Sequence, residues 1–316
     1  MKKISVVVNK NWEVEPLIAA ICSSQFRPKS LPFPEILLSN QDGNYRVDSS
    51  KSINDNSNAR AIIRLHQNND KTQPVVLDVK IWCIQDFMDL KKSSSSSEEK
   101  FRFLPALLAA ENPDLIIAVG TAGFIAENPV AGCVVVGSRF FVHNGHPNNS
   151  GSNLTNNLFD TLLPQNVNPE LFQIFNSSFK LNTEPKFLKT PNNPINRSTC
   201  LASQYYTALS TVNIIDYGEY AWADNETVAV FRNVEKKLPI GSLETTHGVI
   251  RLSSDIPMFF ISAITDKEGN FDMEVTSGQN YTAAFNAGII LGQFLSDFSS
   301  LIIKTPDFNL NFTASN

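Results

Sequence analysis

Three short, almost uninterrupted apolar runs constrain the fold more than any other feature. Ile4-Ser5-Val6-Val7-Val8, Leu115-Ile116-Ile117-Ala118-Val119 and Met258-Phe259-Phe260-Ile261-Ser262-Ala263-Ile264 are each bounded by polar or turn residues. Runs of this length without polar alternation read as strands buried on both faces, as in a largely parallel sheet covered by helices. Helical spacing falls between them. Asn11 suits a cap for a helix through Leu17, Ile18, Ala19, Ala20 and Ile21, with Pro16 in its first turn. Residues 98–110 read as a second helix that Pro105 would kink or start and Asn112-Pro113-Asp114 would stop. Residues 244–252 read as a helix, and 279–298 as a long amphipathic one. Part of 158–179 also reads as helical. Further strands are expected over 61–65, 75–84, 132–142, 211–215 and 227–231, and no internal repeat is visible. Strands alternating with helices predict an α/β chain with a mixed or parallel sheet covered on both faces.

Composition narrows the partners. The 316 residues carry 26 Lys and Arg against 31 Asp and Glu, a net charge of −5, without the basic stripe of a nucleic-acid binder. Charged residues are 18% of the chain, below the roughly 25% usual for globular proteins. Asn, Ser and Pro make up the difference around 28–60, which reads as a surface excursion or hairpin, around 143–200, and in the serine run 93–97. No apolar run approaches the roughly 20 residues that cross a bilayer, and Ile4 to Val8 is short for a secretory signal. Cys22, Cys83, Cys133 and Cys200 are scattered, without ligand spacing, and read as reduced thiols. A cytoplasmic protein without membrane or nucleic-acid partners is expected.

In sheets of this kind, ligands sit beyond the carboxyl ends of the strands. Four segments meet that condition. Asp266 ends its strand, where a carboxyl of raised pKa acts as a general acid and an ordinary one caps the next segment. Glu244, in Gly241-Ser242-Leu243-Glu244-Thr245-Thr246-His247-Gly248, either complements a helix N-terminus, worth about 0.3–1 kcal/mol, or accepts from two neighbouring hydroxyls. Glu13 and Glu15 follow the first strand, either as a solvated helix start or as a functional pair. Gly120-Thr121-Ala122-Gly123 reads as a tight turn whose amides and hydroxyl suit an anion or a sugar oxygen. It is neither a dinucleotide fingerprint nor a Walker A loop. His143, His146 and His247 lack the spacing of a metal site, and no Gly-x-Ser-x-Gly elbow is present. Trp12, Tyr217, Tyr220 and Trp222 are aromatics that either stack on a flat base or fill the core.

Taken in order, these segments resemble the nucleoside phosphorylase and nucleosidase superfamily, most closely its methylthioadenosine/S-adenosylhomocysteine nucleosidase branch. Residues 112–123 are similar to the family's strand and "GSAGG"-type turn, and Ala131-Gly132-Cys133-Val134-Val135-Val136 to its "VGDIVV" strand. Ser242-Leu243-Glu244-Thr245 is similar to its "EMEA" ribose motif, and Ile264-Thr265-Asp266 to its "ISD" element. Residues 279–288 resemble its terminal helix. The resemblance covers most of the chain. It implies a nucleoside phosphorylase-like α/β fold, a three-layer α/β/α sandwich around a central mixed sheet. It also implies one domain over 1–316 with insertions near 28–60 and 143–200.

The activity it implies is cleavage of the N-glycosidic bond of a purine or 5′-modified nucleoside without a cofactor or metal. By the same resemblance, Asp266 acts at the purine N7 and Glu244 holds the ribose 2′- and 3′-hydroxyls. Leu243 packs under the sugar. Glu15 activates water, with its neighbour Glu13 the alternative. Thr121, flanked by Gly120 and Ala122, takes the place of a serine near the nucleophile, and Tyr217 stacks on the base. A homo-oligomer is implied too, because His143 falls where the family has a dimer-facing "RYHD" segment. The first loop, Asn9-Lys10-Asn11-Trp12-Glu13, departs from the phosphorylases' GDPxR pattern, and Ala118 stands where they carry an arginine. These departures favour water over phosphate as nucleophile. A phosphorylase using Arg139 or Arg251 as anion ligands, and a nucleoside-binding protein without turnover, are the competing readings.

Overall fold

The three apolar runs lie side by side at the centre of a mixed sheet. This arrangement comes from a computed structural model that describes residues 1–22, 33, 35–38, 59–88, 97–124, 132–143, 161–176, 189–190, 193–194, 200–211, 239–267 and 277–312. The strands are β1 (Lys2–Val8), β2 (Glu35–Leu38), β3 (Ala61–His66), β4 (Val75–Cys83), β5 (Leu115–Phe124), β6 (Val134–Gly137), β7 (Arg139–His143), β8 (Thr161–Leu163), β9 (Lys189–Thr190), β10 (Asn193–Pro194), β11 (Cys200–Ala202), β12 (Thr207–Thr211), β13 (Ile240–Glu244) and β14 (Met258–Lys267). The helices are α1 (Asn11–Cys22), α2 (Ser97–Glu111), α3 (Gln173–Asn176), α4 (His247–Leu252) and α5 (Ser277–Lys304).

Among the described residues, twelve strands form one sheet in the order β2-β3-β4-β1-β5-β13-β12-β7-β8, with β14 joining β5 to β6 and β11 pairing β6; β9 and β10 pair separately. Strands β4, β1, β5 and β14 are mutually parallel, so their carboxyl ends share one edge. Strand β13 meets β5 antiparallel at Leu243 and Gly123. This brings the Glu244 end of β13 to the same edge.

Alternation along the central strands builds the layers. Ile4, Val6, Val8, Leu115, Ile117, Val119, Phe259 and Ile261 pack in one core with Leu17 and Ile21 of α1 and Ile290, Phe294 and Phe298 of α5. Val7, Ile116, Ala118, Met258 and Phe260 pack on the other face with Leu104 and Leu108 of α2 and Val249 and Ile250 of α4. Burying each of these side chains larger than alanine contributes about 1.5–3 kcal/mol. The sandwich of helices around a mixed sheet is the architecture expected from the sequence.

Several local expectations are corrected. Residues 120–123 make no tight turn, because β5 continues to Phe124 with β14 paired alongside it. Helix α1 starts at Asn11, so Pro16 lies inside it and not in its first turn. Glu13 explains the early start: its Oε2 accepts the Lys10 N–H at 2.8 Å, the reciprocal half of a capping box. Helix α2 runs through Pro105 without stopping and ends where Asn112 adopts a φ of 44°, a left-handed C-terminal residue. The expected strand over 132–142 is two strands broken at Ser138, and Gly137 sits where a Cβ would meet the Tyr206 carbonyl oxygen at 2.4 Å. Glu244 ends β13 and does not start α4. The expectation that part of 158–179 is helical holds among the described residues, where the 3₁₀ turn Pro169–Phe172 and α3 follow β8. Of the strand expected over 211–215 only Thr211 is described, as the last residue of β12, and the rest of it, like the strand expected over 227–231, lies outside the described residues. Helix α5 is long and apolar enough to cross a membrane, but Ala287, Ile290, Leu291, Phe294 and Leu295 bury it in the core.

Candidate active site

The carboxyl-end edge gathers β1, β5, β13 and β14, and Glu13 is its centre. Its side chain is 4% exposed. Oε1 accepts both the Thr121 N–H, at 2.7 Å, and the Thr121 hydroxyl, at 2.8 Å. Burial pushes the Glu13 carboxyl above its ordinary range, while the Thr121 bonds, the Lys10 amide and the Lys10 charge pull it back. Gly120 is required by close approach. A Cβ there would lie 3.3 Å from Glu13 Oε1 and 3.4 Å from His247 Nε2. The carboxylate and the imidazole thus crowd the same point on β5.

The first turn of α1, which carries Glu13, is braced by residues before β3 and after β4. The Arg60 guanidinium bonds both carboxylate oxygens of Asp86 and donates to Asn11 Oδ1 at 2.7 Å. The Asn11 N–H donates to Gln85 Oε1 at 3.0 Å. Glu15, two residues beyond Glu13, is half-buried on α1 within electrostatic reach of Arg60 and does not share the Thr121 cradle.

Glu244 is held from three directions. The Ser210 hydroxyl donates to Oε1. The Thr246 N–H and the His247 N–H, the latter at 2.6 Å, donate to Oε2. Its carboxylate caps α4 and is fixed in orientation by that cap. Ser210 Oγ in turn accepts the Gly248 N–H at 2.7 Å. His247, 2% exposed, stacks on Phe260 with ring centroids 5.8 Å apart, and its Nδ1 lies 3.4 Å from Ser262 Oγ. Burial pushes its imidazole pKa down against the pull of Glu244, which favours the neutral ring.

Sequence reasoning missed Lys100. It is fully buried and donates to Thr246 Oγ1 at 2.8 Å and to the Thr245 carbonyl at 3.3 Å. Burial, helped by Lys10, pulls its amine down to about 7, while Glu244 and Glu13 pull it up. The signal was present: Lys100, Leu104 and Leu108 recur at four-residue spacing on the buried face of α2.

The remaining expected residues are placed as follows. Leu243 is buried opposite Gly123. Ala122 is buried, and its carbonyl accepts the Thr265 hydroxyl at 3.3 Å. The Asp266 backbone pairs with Gly123 across a register irregularity after Ile264; its side chain, like Tyr217, Tyr220 and Trp222, lies outside what is described. Trp12 is exposed. Arg251 is spent on the Ser254 and Pro164 carbonyls, each at 3.0 Å, and Arg139 stacks on Tyr205. The anion-ligand expectation for these two arginines therefore finds no support in their contacts.

No protein-family model matches the sequence, and no curated protein matches it. Solved structures do match its fold. An MTA/SAH nucleosidase is 13% identical, with 95% of this chain and 96% of that one covered and a TM-score of 0.54. The S. pneumoniae 5′-methylthioadenosine/S-adenosylhomocysteine nucleosidase with the transition-state inhibitor MT-ImmA is 12% identical, covering 94% and 99%, at 0.53. The nucleosidase of Colwellia psychrerythraea 34H in complex with adenine is 13% identical, covering 94% and 95%, at 0.53. The chain therefore has the nucleoside phosphorylase/nucleosidase fold.

Proposed function

We propose that this protein is a nucleosidase, hydrolysing the N-glycosidic bond of a purine or 5′-modified nucleoside. The observation that carries the reading is the seat of Glu13. The amide and hydroxyl of Thr121 are the donors an incoming anion would use, and a buried carboxylate of the chain already accepts both. A carboxylate with a raised pKa, fixed at the carboxyl-end edge of the sheet, is suited to take a proton from water. Glu13 therefore has the role of base in preference to Glu15.

Glu244, locked by three donors, holds the ribose hydroxyls, with Leu243 beneath the sugar and Gly120 and Ala122 lining the approach. Asp266, at the end of β14, protonates or hydrogen-bonds the base, and Tyr217 stacks on it. Glycosidic cleavage passes through an oxocarbenium-like state, so carboxylates around the sugar stabilise the charge that develops. A homo-oligomer acting on a small nucleoside in the cytoplasm completes the reading. One observation favours phosphate as nucleophile: Lys10 and Lys100 bring two cations into electrostatic reach of each other beside the carboxylates.

A panel of purine and pyrimidine nucleosides, with and without phosphate, tests the reading through release of free base. Release without phosphate supports hydrolysis. Release only with phosphate supports the phosphorylase, and saturable binding without release supports a binding protein. Asp266→Asn slows release by about 10²–10⁴-fold if Asp266 is the acid; a variant as fast as wild type removes it from that role.

A further inference from the structure

We propose that Lys100 is a positioning residue of this site, strapping the β13–α4 turn that clamps Glu244 and setting the net charge of the pocket. The first part rests on geometry alone. The amine of Lys100 bonds the Thr245 carbonyl and the Thr246 hydroxyl. The N–H groups of Thr246 and His247, in the same turn, hold Glu244 Oε2. Lys100 is fully buried on a face of α2 otherwise made by Leu104 and Leu108. A leucine there would bury more favourably, because an ammonium resists desolvation.

The second part follows from the neighbours. The charged groups within electrostatic reach of Lys100 are Lys10 before α1, Glu13 on α1 and Glu244 on β13, and it acts in turn on His247 of α4. With both carboxylates ionised and the imidazole neutral, the two amines balance them while Lys100 is protonated. When Lys100 loses its proton, near pH 7, the pocket turns net negative and its amine still donates to the turn. Negative potential at the sugar lowers the cost of an oxocarbenium-like state. This part rests on the nucleosidase reading, whereas the strap does not.

The experiment compares wild type with Lys100→Met and Lys100→Arg by base release as a function of pH, and by amide hydrogen exchange. In wild type, kcat/KM carries an ionisation near pH 7 and rises above it. Lys100→Met loses that ionisation, raises KM about tenfold, the worth of one hydrogen bond to a charged group, and exchanges the Thr246 and His247 amides faster. Lys100→Arg keeps the amides protected but stays cationic, so its rate no longer rises through pH 7. Unchanged exchange in Lys100→Met overturns the strap, and a retained ionisation overturns the charge role. Should Lys100→Met fail to fold, a carbon-13 label at the Lys100 side chain of wild type reports the titration directly, and a shift only near pH 10 contradicts the charge role. If wild type releases no base, the nucleosidase reading fails, and the strap is judged on exchange alone.

Discussion

Glu13 Oε1 and Thr121 are joined twice, through the amide at 2.7 Å and through the hydroxyl at 2.8 Å. This pair of hydrogen bonds between residues 108 positions apart fastens the first turn of α1 to the end of β5. Oε2 of the same carboxylate caps α1 through Lys10. One side chain thus serves the fold and the candidate chemistry together.

Glu13→Gln keeps an oxygen to accept from Thr121 but removes the base. We expect base release to fall by about 10²–10⁴-fold, and thermal stability to fall as well, because the amide nitrogen in place of Oε2 cannot accept the Lys10 N–H that caps α1. Glu15→Gln is expected to change the rate by no more than about twofold, the scale of surface substitutions. Steady-state rates for the pair decide which glutamate acts, and a larger loss in Glu15→Gln reverses the assignment.

Thr121→Val removes the hydroxyl and keeps the amide. Hydrogen bonds to the charged form favour it, so losing one raises the Glu13 pKa further. The acidic limb of the pH–rate profile should move to higher pH. A limb that stays in place or moves down contradicts the role of this bond.

The fold was readable because its signal is local. Apolar runs such as Leu115 to Val119 cannot lie on a surface, and helical spacing between such runs leaves few architectures. The end of β5 misled, because Gly120 and Gly123 suggest a turn, whereas Gly120 serves the close approach of Glu13 and His247 to a continuous strand. The choice between Glu13 and Glu15 was not readable, since it depends on which side of α1 meets Thr121 across more than a hundred residues. His247 and Lys100 carry no motif. Only their burial beside the two carboxylates marks them.

The pH dependence of stability offers a test that needs no substrate. The folded chain releases the Lys100 proton near 7, whereas the unfolded chain holds it to about 10.4. Between these values the unfolded state binds more protons, so stability rises with pH in wild type, at up to about 1.4 kcal/mol per pH unit. Lys100→Met lacks this slope. Urea midpoints at pH 7 and pH 9 should show wild type gaining on the variant, and parallel shifts would contradict it.

Gly288 lets α5 lie against α1. A Cβ there would meet the Leu17 carbonyl oxygen at 2.5 Å and the Leu17 Cα at 2.9 Å. Backbone cannot yield as a side chain can, so Gly288→Ala should lose about 1–3 kcal/mol. Its denaturant midpoint should fall, while Gly292→Ala, with nothing closer than 3.8 Å, stays near wild type.

The most direct test of the central claim is to run the reaction in water enriched in heavy oxygen, with phosphate absent, and weigh the sugar released from a purine nucleoside. Hydrolysis through Glu13 predicts free base and a free sugar carrying one heavy oxygen at the anomeric carbon. Release that requires phosphate and yields a sugar phosphate without the label would contradict it.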